Sequence, residues 1–154
     1  MKIVSYEQAL FRLAAYCSRG ERCIFDVCQK MRQWEIAEED QKKIVQRLQD
    51  EKFLDENRFC RAYVNDKWKC SHWGIRKIAA GLKRKQIPAA LIREALSGID
   101  AEENREQLYQ LLAAKRKTVK GESEYEIRQK LIRFALGRGF AWNDIEAAMK
   151  LRPD

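Results

Sequence analysis

The residues FLDENRFCRAYV, at positions 53–64, place a short acidic turn directly before a new apolar stripe. Asp55 is a good helix N-cap, and Glu56 follows it where the positive end of a helix dipole favours an acid. The stripe that begins at Phe59 is spaced for a helix. We therefore interpret LDEN as a joint between two helical units, in which Leu54 closes one core and Phe59 opens the next.

An internal repeat supports this interpretation. Three stretches align without gaps, at offsets of 51 and then 53 residues, and they are 27–45, 78–96 and 131–149. Each has the apolar spacing of a helix, a short break and a second helix, and Pro88 suits the start of a helix after its break. Gly139 can adopt the left-handed conformation that closes a helix, whereas Glu35 and Gln86 at the aligned positions should do so less easily.

A third helix precedes each pair, and its start carries a cap. Ser5 begins a capping box, Asp55 and Asp100 are good N-caps, and Ser123 begins another capping box. The pattern predicts an all-α fold of three tandem three-helix repeats in an elongated array. The predicted repeats are residues 1–54, 55–99 and 100–154.

Composition agrees with an all-helical chain. The 154 residues include two prolines and seven glycines, too few for the many turns of an all-β fold, and 45% are hydrophobic. No stretch approaches the roughly 20 apolar residues of a membrane helix, and the N-terminal residues lack the apolar core of a signal peptide. We expect a cytoplasmic protein with no membrane contact.

The net charge of +8 is concentrated in one segment. Residues 58–93 hold ten Lys and Arg and a single acid, Asp66. An ordinary solvated face is one explanation. The local excess is larger than solubility needs, so it favours a polyanion or an acidic protein groove as partner.

Fourteen cations are the candidate contacts. Arg76 and Lys83 are seven residues apart and share a helix face, while Lys77 and Arg84 share an adjacent one. Trp68 and Trp73 lie close by, where core packing is a commoner role than base stacking. The candidates are Lys67, Lys69, Arg76, Lys77, Lys83, Arg84, Lys85 and Arg93, followed by Lys115, Arg116, Lys117, Lys120, Arg128 and Arg133.

The sequence contains no pattern typical of an enzyme. It lacks a Walker A motif, GxGxxG and HExxH, and its single histidine, His72, fits a surface or capping position. The five cysteines are expected to be reduced and free of metal; a zinc site from Cys17, Cys23, Cys28 and His72 is conceivable, but its spacing fits no common ligand pattern. We expect a protein that is not an enzyme and has no cofactor.

Several motifs resemble the RecX family, the bacterial regulators of the RecA recombinase. FLDENRFCRAYV is similar to the L-D-[DE]-x-R-F-A joint of that family, and RGERCIFDV (19–27) to its R-R-E-R-S-x-x-E-L motif. HWGIRKIAAGLKRKQIPAALIREAL (72–96) resembles its G-x-x-[RK]-I-x-x-x-L-x-x-K-G-I block, and GRGF (137–140) falls in the third repeat. Cys23 and Cys60 depart from the family pattern, as do Asp26, Glu35 and Gln86.

The resemblance implies a curved, modular molecule that lies along the groove of the RecA–DNA filament. There it would hinder ATP hydrolysis, strand exchange or filament extension, as part of the regulation of DNA repair and the SOS response. It also implies direct DNA binding by some members. The expected partners of this chain are thus the RecA nucleoprotein filament and single- or double-stranded DNA, bound by a monomer.

Two other functions remain open from the sequence. One is a helix-turn-helix transcription regulator, which would read bases from one helix; few Asn, Gln or Ser side chains stand where such a helix would begin. The other is a helical-repeat adaptor that binds no nucleic acid, whose interactions would be indifferent to salt.

Overall fold

The described part of the protein, residues 4–151 of a computed structural model, is all-helical. It contains nine α-helices, one π-helical turn at Asp66–Cys70 and no strand. The predicted all-α repeat array is confirmed, while residues 1–3 and 152–154 of the predicted repeats lie outside the described residues. The helices are α1 (Tyr6–Ser18), α2 (Ile24–Gln33), α3 (Glu38–Asp50), α4 (Glu56–Asn65), α5 (Ile75–Arg84), α6 (Ala89–Leu96), α7 (Ala101–Arg116), α8 (Glu124–Gly137) and α9 (Trp142–Leu151).

The helices enclose three separate apolar cores. Helices α1–α3 (unit 1) bury Leu13 and Met31, helices α4–α6 (unit 2) bury Ile78, and helices α7–α9 (unit 3) bury Leu131. Cys23, the N-cap of α2, belongs to the core of unit 2 and links the first two units. We propose repeat boundaries after residues 54 and 99, because each core is built from residues within those limits apart from Cys23 and the half-buried Phe25, which both pack on unit 2.

The joint at residues 53–64 forms as predicted. Leu54 is buried in the core of unit 1. Asp55 Oδ1 accepts a hydrogen bond from Arg58 N at 3.1 Å and caps α4. Phe59 lies in the core of unit 2, with its ring centroid 5.8 Å from that of Tyr63. The core of unit 1 therefore ends at Leu54, and the core of unit 2 begins five residues later at Phe59.

Most of the predicted helix caps are present. Ser5 forms a reciprocal capping box with Gln8, and Asp100 accepts from Glu103 N at 3.1 Å. Ser123 also accepts from the third residue of its helix, but the Glu126 carboxylate there accepts from Glu122 N, so the second capping box is not reciprocal.

The turn between the second and third helices is the same in every unit. Glu35, Gln86 and Gly139 have φ values of 55°, 58° and 95°, so all three adopt the left-handed region. In each turn the following residue donates its N–H back to a carbonyl five residues earlier; Phe140 N to Ala135 O, at 3.2 Å, is one example. Glu35 and Gln86 thus take the conformation that was expected to suit them less, because burial of the next side chain fixes the turn.

Units 1 and 2 are joined through acidic groups at the start of α2. Lys85 Nζ lies 2.6 Å from Asp26 Oδ1, and the Asp26 side chain is almost fully buried. The other oxygen of Asp26 accepts from Cys23 N at 3.2 Å, and Glu56 Oε2 accepts from Ile24 N at the same distance. Carboxylates from both units therefore satisfy the free N–H groups of one helix end.

Units 2 and 3 are joined by backbone hydrogen bonds. Gly74 N donates to Arg138 O at 2.6 Å, and Arg76 N donates to Gly139 O at 3.0 Å. Gly74 offers no side-chain cap to α5, so carbonyls from the turn of unit 3 take that role. A Cβ on Gly74 would lie 2.5 Å from the Gly139 carbonyl carbon, so the approach requires glycine.

We predict that Gly139→Ala destabilises the protein and that Gly137→Ala does not. At Gly139 a methyl group would collide with Lys77 and would occupy a left-handed φ, costing at least about 1 kcal/mol. At Gly137 a methyl group would meet open space at the end of α8, so alanine should be neutral or stabilise by up to about 1 kcal/mol. Urea melts of both variants provide the measurement. Equal stability of the two variants would contradict the docking of this turn on α5.

Candidate functional site

Two predicted cations of unit 2 lie against one indole ring. Lys67 Nζ is 4.9 Å and Lys77 Nζ is 4.5 Å from the centroid of Trp73. Lys67 extends from the π-helical turn and Lys77 from the first turn of α5, so the widened turn after α4 brings them to the same ring. Trp68 and Trp73 are half-buried against the core of unit 2, as expected for core residues. The Trp73 ring therefore holds the ammonium groups of Lys67 and Lys77 near the surface.

Cations of unit 3 continue this arrangement across the junction. Lys77 Nζ donates to Gly137 O at 3.4 Å. The next residue, Arg138, places its guanidinium 5.2 Å from the Phe134 ring, and Lys115 Nζ is 5.1 Å from the same ring. We call Lys67, Lys77, Lys115 and Arg138 the junction cluster. It combines side chains that are up to 71 residues apart in the chain.

The junction cluster has almost no compensating negative charge. Its one ion pair among the described residues joins Lys67 to Asp66 at 3.8 Å, and the Asp66 side chain is exposed. An exposed pair of this kind contributes little and competes weakly with another anion. The described residues therefore leave most of the positive charge of the junction cluster unpaired.

The repeat alignment shows that a base replaces the acid of the first junction at this second one. Asp26 and Lys77 occupy equivalent positions at the 51-residue offset, and Lys85 and Arg138 do so at the 53-residue offset. The first junction therefore pairs an acid with a base, and the second places two bases in the same positions. Arg138 is not among the fourteen cations predicted as contacts, because its proximity to unit 2 exists only in the folded protein.

Lys85 differs from the other candidate contacts because the fold already uses its charge. Burial favours the neutral amine, but the hydrogen bond to Asp26 and the charge of Asp26 outweigh it and raise the pKa of Lys85. A partner that took Lys85 from Asp26 would leave a buried carboxylate without its counter-charge, which is costly. We therefore assign Lys85 to the unit 1–unit 2 junction.

The remaining candidates of unit 2 are open to solvent. Arg76 and Lys83 lie two helical turns apart, about 10 Å along α5. No ion pair is formed within residues 4–151 by any of the exposed candidates of this unit, which are Lys69, Arg76, Lys83, Arg84 and Arg93.

Three candidates of unit 3 line an open cleft of about 1050 Å³, which we call the unit 3 cleft. Its floor is apolar and includes Leu112 and Leu131, and Tyr125 is 72% exposed at its edge. The cationic lining is Arg116, Lys117, Arg128 and Lys150, of which Arg116 is paired with Glu124 at 2.7 Å. Lys150 and Tyr125 were not predicted. Lys120 and Arg133 are exposed and do not line this cleft.

The groups considered for catalysis or metal binding are dispersed. His72 is exposed, and its Nδ1 lies 3.5 Å from Gln107 Oε1. In the described part of the chain, no three His, Cys, Asp or Glu side chains are grouped as metal ligands, and the five cysteines are unpaired. Burial raises the pKa of Cys23 to about 12 and that of Cys60 to about 11. None of the helices within residues 4–151 has the length and apolar character needed to span a bilayer.

Comparison with known families matches two of the three units. Residues 55–96 match the second three-helix domain of RecX, and residues 101–149 match its third three-helix domain. The regulatory protein RecX of Clostridium botulinum strain Alaska E43 is 36% identical over 110 residues, which are 70% of this chain and 51% of the relative. The regulatory protein RecX of Enterococcus faecalis is 30% identical over 152 residues, which are 97% of this chain and 56% of the relative. The chain spans about half the length of the curated relatives it matches.

Solved structures show the same fold. A crystal structure of a regulatory protein RecX superposes with a TM-score of 0.87 at 21% identity, covering 94% of this chain and 73% of that one. RecX from Lactobacillus salivarius superposes with a TM-score of 0.85 at 20% identity, covering 95% of both chains. The helical repeat array is thus shared at low sequence identity.

We predict that alkylation separates the cysteines by burial. Cys70 is exposed, whereas thiols with a pKa near 11 or 12 are less than roughly 0.1% thiolate at pH 8, so Cys23 and Cys60 should react with iodoacetamide only after unfolding. Peptide mass spectrometry after a timed native reaction gives the order. Labelling of Cys23 as fast as that of Cys70 would contradict the buried position, and one bound zinc in native mass spectra would contradict metal-free thiols.

Proposed function

Because the chain belongs to the RecX family, we propose that it is a non-catalytic regulator that binds the RecA–DNA filament and inhibits RecA recombinase and ATPase activity. Its proposed partners are the RecA nucleoprotein filament and single- or double-stranded DNA. We also propose that it acts as a monomer in the cytoplasm. The basic face that would make these contacts consists of the junction cluster, the exposed cations of α5 and the unit 3 cleft.

The observation that carries this proposal is the replacement of an acid–base pair at the first junction by two bases at the second. At the first junction a buried Asp26 neutralises Lys85. At the second, Lys77 donates to a carbonyl of unit 3 and Arg138 to a carbonyl of unit 2, and neither is paired with a carboxylate in the described chain. Lysine and arginine bind phosphates, or carboxylates on a protein surface, by charge-assisted hydrogen bonds. A fold that concentrates such groups at one junction and cancels them at the other supports an anionic partner.

Rigid junctions explain how such contacts could inhibit a filament. Units 2 and 3 each supply a few cations, and the backbone bonds between them fix their spacing, so several weak contacts can form together. A bound regulator slows ATP hydrolysis only if it binds one state of the filament more tightly than the state that follows. An array that spans neighbouring RecA subunits would meet this condition by resisting their relative movement.

The structure gives little support to a helix-turn-helix reader of bases. The second helix of each pair would be the recognition helix, and its first turn should carry side chains that bond to base edges. That turn begins with two alanines in α6, Ala89 and Ala90, and with two acids in α3, Glu38 and Glu39, whereas α9 offers one suitable amide, Asn143. Acids would also repel the phosphates beside the groove.

We predict that the double variant Lys83→Glu/Arg84→Glu loses inhibition of RecA. Both side chains are exposed without an ion pair in the described chain, so reversal should leave the fold intact while repelling an anionic partner. The expected result is at least about a tenfold rise in the concentration that half-inhibits DNA-dependent ATP hydrolysis by RecA, since two lost charge-assisted contacts are worth more than about 1.4 kcal/mol. Lys42→Glu/Lys43→Glu in α3 makes the same charge change in unit 1 and should inhibit normally.

Salt dependence separates the two anionic partners. If DNA phosphates are bound, removing each cation should lower the salt slope by about 0.9 on duplex and about 0.7 on single strands. If RecA carboxylates are bound, binding to bare DNA should be almost unchanged. Full inhibition by the folded α5 variant would reject α5 as the working face, and Lys117→Glu/Arg128→Glu in the unit 3 cleft would then be tested for the same loss.

A further inference from the structure

A second cationic and aromatic surface lies in unit 1, where neither the charge pattern nor the family match points to a site. An open cleft of about 270 Å³ separates α1 from the end of α2. We call it the unit 1 cleft. Its lining alternates rings and cations, which are Phe11, Tyr16 and Trp34 with Arg12, Arg19 and Lys30.

The charge of the unit 1 cleft is unlike that of the segment that contains it. Residues 1–50 hold nine bases and eight acids, so the segment is nearly neutral. No acid lines the cleft, and Arg12, Arg19 and Lys30 form no ion pair within the described part of the chain. The fold therefore collects unpaired cations in this cleft and places the acids of unit 1 elsewhere.

The rings of the unit 1 cleft differ in whether their faces are occupied. The Arg12 guanidinium lies 5.5 Å from the centroid of Trp34, and Tyr16 is covered by Arg22 at 4.0 Å and Lys30 at 5.2 Å. Phe11 is 78% exposed, which is unusual for so large an apolar side chain. It contributes little to the core, so its ring remains available to a partner.

We propose that the unit 1 cleft binds single-stranded nucleic acid, with a base stacked on Phe11 and the neighbouring phosphates bound by Arg12, Arg19 and Lys30. Nonspecific single-strand binding combines aromatic platforms with a cationic track, and this cleft contains both. A duplex presents its bases already stacked, so it could use the cations but not the ring. This cleft is a second nucleic-acid site beside the basic face proposed for units 2 and 3, and binding to it does not depend on the proposed contact with RecA.

The test is the affinity of the protein for a labelled dT20 strand and for a 20-base-pair duplex, measured by fluorescence anisotropy without RecA. Phe11→Ala should weaken dT20 binding at least about fivefold, because stacking of one base is worth about 1–3 kcal/mol, and should leave duplex binding unchanged. Phe11→Trp should retain single-strand binding. Trp142→Ala removes a half-exposed ring from unit 3 and should have no effect on either.

The phosphate contacts have a separate readout. Arg19→Ala should lower the salt slope for dT20 by about 0.7, with the thermal midpoint unchanged because the side chain is exposed. Wild-type dT20 affinity in Phe11→Ala would overturn the proposal. A parallel assay measures binding of Phe11→Ala to vesicles that contain anionic lipid. If this variant loses vesicle binding but keeps its affinity for dT20, the ring serves a membrane surface and the proposal is overturned. Because RecA is absent, either result leaves the proposed inhibition of RecA untouched.

Discussion

Two backbone hydrogen bonds, from Gly74 to Arg138 and from Arg76 to Gly139, set the position of unit 3 on unit 2. The first N–H groups of a helix need acceptors, and α5 receives them from the carbonyls of another unit instead of from its own cap. Both glycines are required, because a side chain at either position would meet backbone atoms of the other unit. The distances between the cations of the two units depend on this contact.

The same turn makes chemically different contacts at the two junctions. At the first, Lys85 reaches a buried Asp26, and removal of either group would leave the other without its partner. At the second, the equivalent positions are Lys77 and Arg138, and the backbone bonds hold the turn in place without help from opposite charges. The array can therefore use one junction for cohesion and offer the charge of the other to a partner.

Aromatic rings allow this charge to accumulate without a carboxylate. Trp73 and Phe134 each lie near two cations, which rest their stems on the rings and keep their charged ends near water. Unit 1 uses the same combination, except that Phe11 remains uncovered. These surfaces suit partners with repeated negative charge, because each contact is weak and the fixed spacing lets several act together.

Local signals in the sequence determined the repeat, its helices and most of their caps. The joint at residues 53–64 identified where one core ends, because an N-cap and an apolar stripe act over a few residues. The π-helical turn escaped prediction because it widens a helix without a distinctive residue pattern. Only tertiary structure decided which cations are free and which contact another unit: Lys85 pairs with a residue 59 positions away, and Arg138, which was not a candidate, contacts Ser71 at a separation of 67. Helical periodicity places such side chains on a face of their own helix, but contact with another unit depends on how the units dock.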